Sequence, residues 1–524
     1  MNPIPIALGF RQQQSGSFWR FVALLWIAIF LALSVAAAGE PSDSSDACTI
    51  GVAAGKATVD GRPLVWKTRD LASSPDNEVY FNTSDRYAFL SVVNAGYTYA
   101  WMGVNEKGFA IVNSFAGDLP RGHSGPTNGL LMRTVLGECA TVADFQHFLD
   151  STNVTGRQTQ ANFAVIDATG TAALFETADS FYRKFNAADA PNGALVRTNF
   201  SLTGGGQEGK ERYNRSRKLI SDFVAGDSLS YRTILRHEMR DFSDSHSRPV
   251  PVPFPRRWRP DRPFGYIYTG YSICRSPSVS AVVVHGVKPG EAPALSTFWT
   301  ILGQPASSIA VPYWPVGRTP HEANGMPTAP LCDEARRIKA RLFDYAPNSS
   351  YIDSYKLRDE NGNGLWACIF PAEDSIFAAA ETHLTRWRRT GTPPRSQMEA
   401  LEKQLAGYAL RKLQQADFGL STAIPQTTRQ PAPFVLLPNY PNPFNPATTL
   451  SFTLPQMAQV TLQIYDVHGR CVQVLFSGNL PAGHYKRIWR PGARPSGVYF
   501  CQLQAVPRTR PRLFVFREKM VYVK

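Results

Sequence analysis

The sequence lacks the cysteine and histidine patterns of a disulfide-rich or zinc-binding protein. It has seven cysteines and nine histidines in 524 residues, with no CxxC pair and no HExxH motif. Small disulfide-rich domains need a much higher density of cysteine, and zinc sites need ligands at short, regular spacing. We therefore expect an ordinary hydrophobic core and a chemistry that needs no metal or other cofactor.

Acidic residues are also scarce relative to basic ones. The 55 Lys and Arg residues exceed the 41 Asp and Glu residues and give a net charge of +14. Such a charge suits nucleic acid, anionic lipid or an acidic glycan. The arginines are scattered, however, and no nucleic-acid-binding motif accompanies them, so we expect a solvated basic surface and no nucleic-acid partner.

The N-terminus has the pattern of a secretory leader. Arg11 and Arg20 precede an apolar run that ends in three alanines. A basic start, an apolar middle and a small-residue exit predict a signal peptide over residues 1–38, followed by a short propeptide over residues 39–47. The alternative is an uncleaved anchor, because the same run is just long enough to cross a thin bilayer.

The pattern of the remaining sequence predicts two domains. Hairpin and helix patterns alternate over residues 48–417, and the strands there are apolar on both faces, which is typical of sheets buried between layers of an α+β fold. A polar stretch punctuated by proline predicts a linker over residues 418–435. Six or seven short alternating strands then predict a small β-sandwich over residues 436–524.

Cys48 opens the first strand-like run, directly after the predicted propeptide. A cut between Ala47 and Cys48 would place a thiol and a free α-amine on one residue. These groups titrate close together, at about 8.5 and 7.7–8.0, so the amine can serve as the base for its own thiol. Cys48 is therefore the candidate nucleophile.

Charged residues return toward Cys48 after the first hairpin turn. The second strand carries Lys67, Arg69 and Asp70, and alternation places Lys67 and Arg69 on one side of it. A cation about 4 Å from the sulfur, at an effective dielectric constant near 20, favours the thiolate by about 4 kcal/mol. Either cation can take this role, and Asp70 can orient the amine. The alternative is a surface ion pair between one of these cations and Asp70.

Several motifs together resemble the N-terminal-nucleophile hydrolases that cleave linear amides. The likeness is greatest to the acyl-coenzyme A:6-aminopenicillanic acid acyltransferase group, and more distant to penicillin V acylases and bile-salt hydrolases. It is carried by Cys48-Thr49, Lys67-Thr68-Arg69-Asp70, residues 105–113, Arg197-Thr198-Asn199, Glu211-Arg212-Tyr213 and residues 300–305. The resemblance implies a four-layer αββα sandwich. It also implies self-cleavage before Cys48 and a thioester from which the acyl group passes to water or an amine.

The same resemblance implies roles for the other site residues. By motif position, Asp70 holds the α-amine, Asn199 donates to the oxyanion and Asn113 occupies a second position on the oxyanion side. Lys67 falls where the bile-salt enzymes keep an arginine, and Arg212 matches a distal arginine that supports the site. The expected substrate is a small-molecule amide with an apolar acyl group. Its identity and the oligomeric state are left open.

The last module resembles the C-terminal sorting domain of type IX secretion cargo. Residues 439–446 (NYPNPFNP), 464–470 (IYDVHGR) and 496–500 (SGVYF) carry this likeness. It implies an immunoglobulin-like β-sandwich, engagement of the type IX machinery and a secreted or cell-surface location. The rival interpretation of the whole chain is a surface binding protein whose hydrolase-like domain is catalytically inactive.

Overall fold

The computed structural model describes residues 47–71, 73, 75–254, 265–325, 328–345, 349–416, 434–454, 456–480, 483–507 and 513–524. The predicted signal peptide, the propeptide up to residue 46 and the linker up to residue 433 lie outside this part of the chain. The chain divides into two compact units, residues 1–420 and 421–524. Among the described residues, no helix is long and apolar enough to cross a membrane.

Fifteen strands of the first unit are described, and they are numbered here in chain order. They are β1 (Ala47–Ala53), β2 (Leu64–Asp70), β3 (Asn77–Asn82), β4 (Phe89–Asn94), β5 (Met102–Asn105), β6 (Ala110–Phe115), β7 (Ala161–Ile166), β8 (Ala172–Thr177), β9 (Tyr182–Asn186), β10 (Ala194–Arg197), β11 (Tyr266–Tyr268), β12 (Ser278–His285), β13 (Thr297–Leu302), β14 (Val311–Tyr313) and β15 (Tyr351–Asp353). One antiparallel sheet has the order β10-β1-β2-β12-β13-β14, and a second has the order β3 through β9. Strands β11 and β15 form a separate pair.

Six longer helices of this unit are described. They are α1 (Asn128–Glu138), α2 (Val142–Thr155), α3 (Lys210–Ala225), α4 (Pro330–Leu342), α5 (Leu365–Thr390) and α6 (Arg395–Gln415). Thr141 and Asp144 form a capping box at the start of α2, where each side chain satisfies the other residue's backbone N–H. Helix α3 carries Arg212 in its first turn.

The two large sheets pack face to face between two layers of helices. Helices α1 and α2 cover the seven-stranded sheet, while α3 contacts β10 and β1 and α4 to α6 contact β13 and β14. Neighbouring residues of one strand pack into different layers: Ile111 packs with Phe145 of α2, whereas Val112 lies between the sheets. Strands buried on both faces explain the lack of polar alternation in the sequence. The predicted αββα sandwich is confirmed.

The second unit is an all-β module of seven described strands. They are β16 (Val435–Tyr440), β17 (Thr448–Leu454), β18 (Ala458–Asp466), β19 (Cys471–Leu480), β20 (Gly483–Trp489), β21 (Gly497–Pro507) and β22 (Phe514–Tyr522). They form sheets of order β16-β17-β20 and β19-β18-β21-β22, which enclose one hydrophobic core that includes Trp489 and Leu462. The predicted small β-sandwich is confirmed, and its immunoglobulin-like topology stays a prediction.

Candidate active site

The β1–β2 hairpin places Cys48 beside the charged residues of the second strand. Cys48 pairs with Arg69 and Ala47 pairs with Asp70, and two residues further along Ile50 pairs with Lys67. Directly opposed residues of an antiparallel pair present their side chains on the same face. The Cys48 thiol therefore shares a face with Arg69, and by alternation with Lys67. Cys48 is 1% exposed, so these charges act in a largely dry environment.

Two residues from other elements hold the main chain of Cys48. Its N–H donates to Asn199 Oδ1 at 2.9 Å, and its carbonyl accepts from Arg212 Nη1 at 2.6 Å. Arg212 also donates through Nη2 to Asn199 Oδ1 at 2.8 Å. Asn199 lies just after β10, the strand that pairs with β1, and Arg212 lies in the first turn of α3. The fold therefore brings together Cys48, Asn199 and Arg212, which are far apart in the sequence.

The orientation of Asn199 differs from the one that an oxyanion donor needs. Its side-chain oxygen faces the backbone N–H of Cys48, and its Nδ2 donates to the carbonyl of Phe115 at 3.1 Å. The amide of Asn199 therefore links the main chain of Cys48 to that of Phe115.

Asn113 has the opposite orientation. Lys67 Nζ donates to Asn113 Oδ1 at 2.7 Å and to the carbonyl of Trp101 at 3.1 Å. Because the oxygen of Asn113 accepts from Lys67, the NH2 group of this buried amide is the part that can donate to a ligand. Lys67 and Asn113 therefore form one unit, in which the cation orients an amide donor.

Arg69 is held on the facing sheet. Its Nη1 donates to the side-chain oxygens of Asn94 at 2.7 Å and Asn77 at 3.0 Å, and its guanidinium lies 4.5 Å from the ring centroid of Trp101. These contacts fix a completely buried guanidinium directly across the strand pair from Cys48.

Asp70 is buried and held by two residues that motif reasoning does not predict. Ser278 Oγ donates to its Oδ1 at 2.6 Å, and Arg275 Nη1 lies 3.3 Å from its Oδ2. Burial raises the pKa of Asp70, and the positive charges of Arg275 and Arg212 oppose that rise. Ser278 begins β12. Only the pairing of β12 with β2 brings Ser278 and Arg275 to Asp70.

The site has no evident place for a metal ion. Within the described ranges, no three His, Cys, Asp or Glu side chains are grouped so that they could hold one. The arrangement around Cys48 consists instead of cations, amides and one carboxylate, which are groups that can stabilise a thiolate and an oxyanion.

Comparisons with known proteins agree on two regions. Residues 57–255 match the family model described as acyl-coenzyme A:6-aminopenicillanic acid acyl-transferase, and residues 439–513 match the secretion system C-terminal sorting domain. No curated protein sequence matches the chain.

Three solved structures are similar at low identity. A mutant of conjugated bile acid hydrolase from Clostridium perfringens is 12% identical, with a TM-score of 0.32 and coverage of 49% of this chain and 89% of that one. Penicillin V acylase from Agrobacterium tumefaciens is 11% identical, with a TM-score of 0.28 and coverage of 51% and 85%. The Caenorhabditis elegans ortholog of N-acylethanolamine-hydrolyzing acid amidase is 12% identical, with a TM-score of 0.29 and coverage of 45% and 92%.

The sorting domain at residues 439–513 indicates export through the type IX system to the cell surface or the extracellular space. Residues 57–255 thus resemble the acyl-coenzyme A:6-aminopenicillanic acid acyl-transferase family, whose model they match, and residues 439–513 form a secretion system C-terminal sorting domain.

Proposed function

We propose that the protein is an exported cysteine amidase or acyltransferase that matures by cutting its own chain before Cys48 and then acts on linear amide bonds. The observation that carries the proposal is the position of Cys48 in the first strand, with its main chain held by Asn199 and Arg212 and with two buried cations on its side-chain face. The match of residues 57–255 to an acyl-transferase family model supports the same class of chemistry.

Maturation begins with the thiol of Cys48 and the peptide bond that precedes it. The sulfur bonds to the carbonyl carbon of Ala47, the C–N bond breaks, and the thiol proton passes to the released amine. Water then hydrolyses the thioester and releases the upstream segment as a carboxylate. The bonds from Asn199 and Arg212 hold the Cys48 backbone still during the attack, which lowers the entropic part of the barrier.

Turnover repeats this chemistry on a substrate amide. The freed α-amine accepts the thiol proton, the thiolate attacks the substrate carbonyl, and the amine returns the proton to the departing nitrogen. The resulting thioester passes its acyl group to water or to a second amine. A preorganised donor to the oxyanion contributes about 3 kcal/mol, and the NH2 group of Asn113, oriented by Lys67, is suited to that role.

The two cations have separate tasks in this proposal. Lys67 orients Asn113, whereas Arg69 is the direct cross-strand neighbour of Cys48 and favours its thiolate. Asp70 and the residues that hold it stabilise the α-amine once the chain is cut.

The position of the mature N-terminus distinguishes this proposal from its rival. Intact-mass measurement of the exported protein is expected to place the N-terminus at Cys48. An N-terminus at Gly39 with no turnover of any amide would favour an inactive binding protein instead.

Replacing Arg275 is expected to shift the acid side of the pH–rate profile. The carboxylate form of Asp70 is the active form, and activity falls as the pH drops through its pKa. Burial raises the pKa of the Asp70 carboxyl, and the positive charge of Arg275 limits that rise. Arg275→Met removes this charge, so the pKa of Asp70 rises further and the acid limb of the profile moves to higher pH. The profile of kcat against pH measures the shift.

Arg275→Lys is the matched control, because it keeps the charge next to Asp70. It is expected to leave the acid limb close to its original position. An unchanged acid limb in Arg275→Met would contradict the role assigned to Asp70.

Removing residues 434–524 is expected to stop export while leaving turnover intact. The sorting domain lies wholly in the second unit, and every residue of the candidate site lies in the first. Cell fractionation should find the truncated protein retained inside the outer membrane and active after lysis. Truncated protein in the medium at the level of the full chain would show that export does not need this module.

A further inference from the structure

A second cleft lies where the open edges of the two sheets meet helix α3. Its volume is about 680 Å3, within the range of about 300–1,000 Å3 that is common for small-molecule sites. Strand β10 is the edge of one sheet and β9 the edge of the other, and both contribute residues to the lining. Arg212 reaches Cys48 from α3, whereas Tyr213, Arg217 and Lys218 of the same helix line this cleft. The cleft is therefore a separate site.

The open edge of β10 has backbone groups that are already hydrogen-bonded to side chains, which disfavours pairing with another strand. Ala194 and Val196 direct their backbone groups away from β1, and one such group of each residue is already bonded to a nearby side chain. The N–H of Ala194 donates to Asn192 Oδ1 at 3.2 Å, and the carbonyl of Val196 accepts from Arg197 Nη1 at 2.8 Å. An exposed strand edge usually pairs through such groups. Since the N–H of Ala194 and the carbonyl of Val196 are engaged here, we look to the side chains of the lining for recognition of a ligand.

The lining has one apolar wall and one polar, basic wall. Phe185, Leu195 and Leu202 supply apolar surface, and Leu202 is 51% exposed. The polar and basic part of the lining is a stripe of exposed residues on successive turns of α3, namely Asn214, Arg217, Lys218 and Ser221. Among the described residues, none that lines the cleft is acidic.

The basic side chains that line the cleft differ in how strongly they are already paired with other groups of the protein. Arg197 is paired with the buried Glu176 at 2.7 Å, so its charge is compensated inside the protein. Lys218 forms an exposed ion pair with Asp222, which is a weak interaction that a ligand can replace. The guanidinium of Arg217 lies 5.7 Å from the ring centroid of Tyr213. The basic wall thus presents cations that can turn toward a bound anion.

We propose that this cleft binds an amphipathic monocarboxylate, with its apolar body against Phe185, Leu195 and Leu202 and its carboxylate at Arg217 and Lys218. The charge of the lining selects the anion, and the apolar wall selects a ligand with a hydrocarbon body over a small inorganic anion. The proposal concerns a site apart from Cys48 and holds whichever residue is the nucleophile.

Titration calorimetry of the exported protein with dodecanoate, below its micelle concentration, tests the proposal. Saturable binding is expected, and the double variant Arg217→Glu/Lys218→Glu should weaken it by at least about tenfold. Arg386→Glu/Arg389→Glu makes the same charge change at exposed residues of α5 and should leave binding unchanged. The two double variants also report whether dodecanoate is binding near Cys48 instead, because neither alters that site.

A second variant tests the apolar wall without altering charge. Leu202→Gln, at a half-exposed position, should weaken dodecanoate by several-fold and leave weak butyrate binding unchanged. The proposal is overturned if wild-type protein shows no saturable binding, or if the cleft variants bind as well as wild type. It is also overturned if dodecyltrimethylammonium binds as tightly, or if an acidic peptide binds and dodecanoate does not.

Discussion

Cys48→Ala is expected to leave the upstream segment attached and to lower turnover by at least about 10³-fold. One thiol performs both reactions in the proposed mechanism, so its removal stops maturation and amide cleavage together. Alanine changes little else, because the backbone bonds from Asn199 and Arg212 do not involve the side chain. Intact mass reports the first effect. Release of amine from penicillin V, conjugated bile salts, acyl-homoserine lactones and acylated amino acids reports the second.

Cys139→Ala is the matched control for this variant. Cys139 is also a buried thiol, and burial raises its pKa to about 12, so it is protonated at neutral pH and unsuited to attack. Its replacement should leave the mature mass and turnover as in wild type. A Cys48→Ala protein that is processed and active would remove Cys48 from the mechanism altogether.

The local part of the candidate site could be predicted from the sequence. Residues 54–63 connect β1 to β2, and the register of this hairpin sets which residues face Cys48. Alternation along β2 then places Lys67 and Arg69 together, as the sequence predicts. Such features depend on a few neighbouring residues, so a pattern in the sequence is enough to find them.

The long-range part could not be predicted in this way. Arg275 and Ser278 contact Asp70 because β12 is the neighbour of β2, although more than two hundred residues separate them. Asn77 and Asn94 contact Arg69 because the second sheet faces the first. Sheet order and sheet packing depend on the whole chain, and neither leaves a local pattern.

The sequence pattern does not predict α5 as one continuous helix. Pro371 lies inside it, and proline in a helix interior removes a backbone hydrogen bond and normally indicates an end. Ile376, Phe377 and Leu384 are buried in the same core as residues of the six-stranded sheet, and this burial offsets the cost of the missing hydrogen bond. Tertiary packing therefore overrides the local preference.

Arg212→Met is expected to lower kcat by about a hundredfold, with a much smaller change in KM. Methionine keeps the length of the side chain but removes the donors that hold the carbonyl of Cys48 and the oxygen of Asn199. A nucleophile displaced by a fraction of an ångström loses its alignment with the substrate carbonyl, while the rest of the substrate still binds. Arg212→Lys should be intermediate, because an ammonium can reach one of these acceptors without the planar fork.

Arg215→Met separates this positioning effect from a general loss of stability. Arg215 is buried one turn further along α3, where it forms a paired contact with Asp241 at 2.8 and 2.6 Å. Its loss leaves Asp241 without that partner, so the melting temperature should fall while kcat of the folded protein is retained. If Arg212→Met lowers kcat no more than Arg215→Met does, Arg212 supports the helix and not the nucleophile. A hundredfold difference between two arginines three residues apart can arise only from what each guanidinium contacts.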